Sequence, residues 1–313
     1  MKPPEQAIRL FEAQRPRLVR LAYRMLGSMA EAEDVVQNAW LRWQRADHAE
    51  VLSPPSFLSR IVTRLCLDEL KSARARRQAY VGPWLPEPLV EQPDEPAQDD
   101  LTLALMLALE RLSPLERAAF LLHDVFGVPL AEVAATLERD AAAVRQLAVR
   151  ARRHVEDARP RFPVAPEEGR RIANAFFAAS TTGDTATLRA MLAENVVVRA
   201  DGGGKVLAFR NPIVGLEKAL RLYTGLARKY GPADVALLDI VRLDGLPGFV
   251  SRMGAVLQTT ALGIEDGRIT AVYITRNPDK LSRLGLRLRD PSHAPPPWPG
   301  AAARPSPGSA GGR

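Results

Sequence analysis

Two groups of cationic side chains carry the clearest chemical signal in the 313-residue sequence. Arg60, Arg64, Lys71, Arg74, Arg76 and Arg77 form the first, and Arg145, Arg150, Arg152, Arg153, Arg159 and Arg161 the second. Lysine and arginine at this density bind a polyphosphate by releasing its condensed counterions. A solvated helix face accounts for either group taken alone. Between the groups, residues 78 to 110 hold no lysine or arginine, but they do hold Glu87, Glu91, Asp94, Glu95, Asp99 and Asp100 and several prolines. Two basic segments joined by an acidic, proline-rich tether point to two DNA-binding modules on one polyanion.

A second chemical candidate is Asp201-Gly202-Gly203-Gly204-Lys205. A nucleotide phosphate loop needs a Ser or Thr and a helix after the lysine, whereas Val206–Phe209 reads as a strand, so that chemistry is excluded. The stretch reads instead as a hairpin between strands, with Gly202 to Gly204 supplying positive φ. For acid–base chemistry the second half offers no histidine between Val155 and Ser292, which leaves Asp201, Asp234, Asp239, Tyr223 and Tyr273. Cys66 has no disulfide partner, and His48, His123, His154 and His293 lack ligand spacing, so neither a metal site nor a cofactor is expected. Charges interrupt the first residues, and no apolar run approaches the roughly 18 residues of a membrane span. The chain therefore reads as cytoplasmic.

These side chains need elements to carry them. Apolar residues at helical spacing (Ile8, Phe11, Leu18, Leu21, Ala22, Met25) mark a first helix that Gly27 ends. Ser28 and Glu31 cap a second, with Val35, Ala39, Trp40 and Trp43 on its apolar stripe and Glu33, Asp34, Gln37 and Asn38 on the other face. A third helix follows Pro54-Pro55, with Phe57, Leu58, Ile61, Leu65 and Leu70 inward, Cys66 near its core, and Arg60, Arg64, Asp68 and Lys71 outward. Farther on, Ser113-Pro114-Leu115-Glu116 starts a helix to about His123, and a short helix follows Gly127. After the turn Glu138 to Asp140 comes a basic helix burying Val144, Leu147, Ala148, Ala151 and Val155. Short helix, tight turn and basic helix make a helix-turn-helix. Asp140 as N-cap leaves Arg145 and Gln146 to read base edges, while Arg150, Arg152 and Arg153 lie where phosphates run.

The segments "AEDVVQNAWLRW", "FLSRIVTRLCLDELKSARARR" and "LSPLERAAFLLHDVFGVPLAEVAATLERDAAAVRQLAVRARRHV" resemble, in this order, regions 2 and 4 of the extracytoplasmic-function sigma factors. The resemblance implies core RNA polymerase, through its clamp coiled coil and its flap, and promoter DNA as partners, with the chain acting as a monomer. It implies that Glu33, Asp34, Gln37, Asn38, Trp40 and Trp43 meet the clamp coiled coil. It also implies that Arg60, Arg64, Asp68, Lys71, Arg74, Arg76 and Arg77 face the −10 element, and that residues 129 to 157 read the −35 element. Arg64 stands where many members carry asparagine, so their −10 base preference does not transfer.

Residues 167 to 285 are expected to add a further domain. Two helices, a glycine-rich turn, a third helix and strand-like runs with an Asp-Gly hairpin signal indicate an α+β fold with an antiparallel sheet. The order resembles the SnoaL-like branch of the NTF2-like cone fold. Sigma factors with such a fused domain pair a DGGGK loop with WLPEP in the linker and NPDKL near the end. Here these are Trp84, Leu85 and Pro86 to Pro88; Asp201 to Lys205; and Asn277, Pro278, Asp279, Lys280 and Leu281. Trp84 is expected to dock on the DGGGK loop, with Asp201 or Lys205 supplying polar contacts.

The expected organisation is region 2 at 1–78, a linker at 79–100, region 4 at 101–161, the SnoaL-like domain at 167–285 and a disordered tail at 286–313. The function implied is promoter-specific initiation modulated by the added domain, whose pocket is a candidate site for an unspecified small ligand. The alternative is an isomerase-like enzyme fused to a DNA-binding regulator.

Overall fold

The structure is a computed structural model that describes residues 5–78, 80–91, 102–155 and 164–287, without the side chains of 72–78 and 285–287. The acidic stretch of the linker and the tail from 288 onward lie outside the described residues, as do Arg159 and Arg161. No described helix is long and apolar enough to cross a membrane.

Three helices, α1 (Glu5–Leu26), α2 (Met29–Arg45) and α3 (Pro54–Gln78), build the first bundle. Gly27 ends α1 at φ 73°, and Ser28 caps α2 by accepting from the Glu31 N–H. The expected stripe of α1 is buried except at Ile8, which is exposed. Cys66 is buried in α3, and that burial pushes its thiol far up, which keeps it inert.

The second bundle holds α4 (Leu103–Leu109), α5 (Pro114–Phe120), α6 (Leu130–Leu137) and α7 (Ala141–Val155). The Ser113/Glu116 capping box is formed. The α-helix it starts stops at Phe120, not His123; the backbone then widens into a π turn over Leu121–Val125, which aims His123 at the Val128 carbonyl 3.0 Å away. Asp140 caps α7 through the Ala143 N–H, and the five apolar positions expected on α7 are all buried. The two bundles share one hydrophobic core.

The third unit is α+β. Helices α8 (Pro166–Thr182), α9 (Thr185–Met191) and α10 (Leu216–Lys229) accompany β1 (Leu192–Asp201), β2 (Ile213–Val214), β3 (Val235–Leu243), β4 (Leu246–Met253), β5 (Val256–Glu265) and β6 (Arg268–Thr275), and α11 (Pro278–Arg287) ends it. The strands run in the order β2-β1-β6-β5-β4-β3. The sheet is mixed instead of antiparallel, because β1 and β6 pair in parallel; the α10 and β3–β5 segments between them carry the chain back to the same end. Val206–Phe209 is no strand: after β1 the chain turns at Gly203–Lys205 and stays irregular to Pro212, so DGGGK opens a long connection between the antiparallel strands β1 and β2 and is not a tight hairpin. Val206 N–H bonds the Gly202 carbonyl locally, which removes it from any ladder.

Candidate functional site

Linker residues 80–91 run between the first bundle and the α+β unit, held by the carboxylate of Asp201. This residue ends β1 and is fully buried. Its Oδ1 accepts from the Tyr80 hydroxyl (2.5 Å) and the Gly203 N–H (3.0 Å). Its Oδ2 accepts from the Leu85 N–H (2.9 Å) and the Lys280 ammonium (2.7 Å). Four donors satisfy the lone pairs of a buried carboxylate, which is the condition for keeping it there.

Lys280 also donates to the Leu85 carbonyl and lies 4.3 Å from the Trp84 ring centroid, a cation–π contact. Asn277 donates to the Tyr80 oxygen (2.9 Å), and burial together with the Asp201 carboxylate pushes the Tyr80 phenol up, so it stays a donor. Gly203, at φ 63°, leaves the space that the Asn277 amide fills, and Gly204 leaves the space that Val81 fills. Gly202 and Pro86 are buried. All three sequence motifs therefore meet at one place.

Of the two residues expected to supply polar contacts, Asp201 does so. Lys205 pairs with Asp279 (2.6 Å) beside the exposed Pro278, and both partners of that pair are solvated. One detail differs from expectation: Trp84 lies against Gly27 of the first bundle and not on the glycine loop. The apolar anchor is Leu85, fully buried among Leu103, Leu243, Leu246, Ala261 and Tyr273. Burial of that side chain is worth about 1.5–3 kcal/mol.

A second junction forms at Asp244, in the β3–β4 turn, with φ 46°. Its carboxylate accepts from the Tyr23 hydroxyl (2.9 Å) and from the Leu89 N–H (3.1 Å). Its backbone N–H donates to Leu89 O (3.0 Å), and its carbonyl accepts from the Leu103 N–H (2.9 Å). One residue thus ties α1, the linker and the start of α4 together. Burial pushes its carboxyl up to about 6 against the pull of Arg24, 3.7 Å away.

Next to it Glu91 accepts from Arg242 (2.9 Å) and Gly245 N–H (2.5 Å), while Glu87 accepts from the Met29 N–H (2.8 Å) at the start of α2. An anion is favourable there because the first N–H groups of a helix lack internal partners. Tyr23, Tyr80, Glu91, Arg242 and Asp244 were not among the sequence candidates. The Asp-Gly pair in "RLDGLPG" announces a hairpin, but nothing local names its partners.

The expected polymerase face keeps Glu33, Asp34, Gln37 and Asn38 exposed on α2. Glu33 is engaged by Arg283 of α11 (2.8 Å). Trp40 is half-buried against Phe11, with ring centroids 4.8 Å apart. Trp43 does not belong to that face: it is 1% exposed, and its indole N–H donates to Ala7 O (2.9 Å). Its position on the Val35–Ala39 stripe turns it into the core.

On α3, Arg60 and Arg64 are half-buried, and Asp68 and Lys71 are exposed and paired (2.9 Å). The side chains of Arg74, Arg76 and Arg77 lie outside the described residues. Arg64 pairs with Glu138 (2.7 Å) and Ser56 donates to Glu132 (2.9 Å), so the second bundle sits on the face assigned to the −10 element. Arg117 locks the same contact at 3% exposure, donating to Met25 O (2.6 Å), Leu109 O (3.0 Å) and Glu110 (2.7 Å). It serves the terminal carbonyls of α1 and α4 at once.

Arg145, Gln146, Arg150, Arg152 and Arg153 are all exposed on α7. Arg150 pairs with Glu116 (2.7 Å) and Arg152 with Asp124 (2.6 Å), which aims both back along their own bundle. The acid–base candidates scatter. Asp201 holds the linker, Asp234 accepts from the Gly231 N–H (3.0 Å), Asp239 is half-buried, and Tyr273 joins the Leu85 cluster. Only Tyr223, of these five, lines the cleft between α8, α10 and the sheet. Among the described residues, no group of His, Cys, Asp and Glu is placed to hold a metal ion.

Comparison with known proteins gives a consistent result. Residues 10–76 match the family model "Sigma-70 region 2" and residues 102–155 match "Sigma-70, region 4". The chain is 37% identical over 295 residues to the ECF RNA polymerase sigma factor SigJ of Mycobacterium tuberculosis H37Rv, covering 89% of this chain and 94% of that protein. It is 34% identical over 287 residues to the probable ECF RNA polymerase sigma factor SigI of the same species, covering 89% and 96%. The crystal structure of M. tuberculosis SigJ superposes with a TM-score of 0.72 at 35% identity, over 88% of this chain and 98% of that one.

Proposed function

The chain belongs to the extracytoplasmic-function RNA polymerase sigma factors, and from that premise we propose that its linker works as a clasp, which must release before the factor can span a promoter. Residues 1–78 act as region 2, 101–161 as region 4 and 167–285 as the domain that holds the clasp. The factor works in the cytoplasm, where core polymerase and promoter DNA are. The carrying observation is the carboxylate of Asp201, which draws Tyr80, Leu85 and Lys280 onto one point.

The physical case rests on reach. The −10 and −35 elements lie about two helical turns apart, roughly 68 Å at about 34 Å per turn. With the linker docked through Glu91, only residues 92–101 remain as a tether, at most about 36 Å when fully extended. In the closed form, moreover, Arg64 pairs with region 4 and Glu33 with α11. Regulation is therefore the better role for the third domain than catalysis.

Adding the purified chain to core polymerase with a promoter library tests the assignment. Transcripts should start at a discrete promoter set. On those promoters Arg145→Ala should relax preference at one −35 base pair by roughly 1–3 kcal/mol, whereas Arg153→Ala should weaken every sequence alike and flatten the salt dependence. Identical behaviour of the two variants would overturn the orientation assigned to α7.

A further inference from the structure

The cleft between α8, α10 and the sheet has about 770 Å³ of empty volume, part of it continuous with solvent. Its walls are mostly apolar, with Phe176, Phe177, Phe209, Leu222 and Phe249 among them, and a few serine, threonine and glutamine side chains add polar groups. Two of the lining donors are left unpaired. The Tyr223 hydroxyl is buried with no hydrogen-bond partner, and so is Nε of Arg276, whose Nη1 donates to Leu207 O (2.6 Å). A buried donor left unpaired costs about 1–3 kcal/mol, so two lining one cleft call for an acceptor that the chain does not itself supply. Arg276 is the sole charged residue of the lining, and no carboxylate or imidazole faces it there. Burial holds the Tyr223 phenol protonated, which leaves it a donor and not a base.

We propose that this cleft binds a small apolar carboxylate of one or two rings, its carboxylate between Tyr223 and Arg276, and that occupancy acts on the linker clasp. The site stands on the cleft alone; its coupling rests on the clasp reading above. The path is short. The backbone N–H groups of Arg276 (2.7 Å) and Asn277 (3.0 Å) both donate to Asp201 O, and Asn277 bonds Tyr80. On the other side of the loop, Phe209 lines the cleft while its carbonyl lies against Gly82 of the linker. An anion that draws in Arg276 therefore moves the strand end and the loop that receive the linker.

The probe is 2-naphthoate, with 2-naphthamide as its uncharged counterpart, titrated calorimetrically into the full chain. The carboxylate should bind about tenfold tighter than the amide, the difference expected of one charge-assisted hydrogen bond. Arg276→Gln should abolish that preference, and Tyr223→Phe should weaken both ligands several-fold. Tyr223→Phe should also leave the thermal midpoint of the ligand-free protein unchanged or raised, because its hydroxyl has no partner to lose. No binding, equal binding of both probes, or binding unaffected by either variant overturns the site. Hydrogen exchange of linker amides 80–91 reads the coupling. Faster or slower exchange with saturating naphthoate supports it, and unchanged exchange at saturation overturns the coupling while the titration still upholds the site.

Discussion

Asp201→Ala is expected to release the linker, at a cost of roughly 3–5 kcal/mol to the closed form, the range for removing one partner of a buried ion pair. The change removes the acceptor shared by the Lys280 ammonium and the Leu85 N–H, and leaves Lys280 only its weaker contacts with the Leu85 carbonyl and the Trp84 ring to offset its charge. The Tyr80 hydroxyl loses its acceptor as well. Hydrogen exchange reports the effect directly, because the Leu85 amide should pass from protected to fast while amides in the middle of β5 stay slow. Asp201→Asn should give an intermediate result, since it keeps an acceptor for Leu85 and removes the charge that Lys280 needs. Unchanged protection of 80–91 in the alanine variant would mean that the linker is held elsewhere.

Arg117→Leu should have an effect of similar size by a different route. The substitution keeps apolar volume but removes the guanidinium donors that serve Met25 O and Leu109 O, and it breaks the ion pair with the largely buried Glu110. The expected loss is about 3–5 kcal/mol. Region 4 should then separate from region 2, freeing the Arg64 face of α3. Small-angle scattering would register the separation as a larger radius of gyration, with the denaturation midpoint lowered in parallel. The same profile and midpoint as the parent chain would show that the shared apolar core alone holds the two bundles together.

How much was legible in the sequence depended on how local each feature is. The second DNA-binding bundle could be read closely because its signals sit within a few residues of each other: the Ser113/Glu116 box, the Asp140 cap, and apolar positions of α7 at helical spacing. The π turn after Phe120 was not legible, since "LLHDV" contains no breaker to mark where the α-helix stops. Trp43 and Trp40 are three residues apart on one helix, and only packing decides that the first is core and the second half-buried.

Val206–Phe209 has strand composition, yet the local Gly202 bonds and the contacts of Ala208 and Phe209 with the cleft keep it irregular. The parallel β1–β6 pairing joins positions as far apart as Leu192 and Ile269 and leaves no short-range trace. At the clasp, the motifs named Asp201, Asn277 and Lys280, because their resemblance carries long-range information. Asp244 and Tyr23 meet across 221 residues with no motif to announce it. Hub residues of this kind are defined by the partners that the fold delivers.

Locking the clasp tests the central claim most directly. Val90 and Leu243 form an antiparallel bridge whose flanking hydrogen bonds, Glu91 N–H to Arg242 O and Asp244 N–H to Leu89 O, make it a non-hydrogen-bonded pair. Such pairs have Cα atoms about 4.5 Å apart, within the roughly 4.4–6.8 Å that a disulfide spans. In a Cys66→Ala background, Val90→Cys with Leu243→Cys should cross-link on oxidation, which leaves the linker docked and only residues 92–101 as a tether. The measurement is promoter-specific transcription with core polymerase before and after reduction. The clasp account predicts that the oxidised protein supports no transcription above core polymerase alone and that reductant restores it; transcription by the fully cross-linked protein at the rate of the reduced one would contradict it.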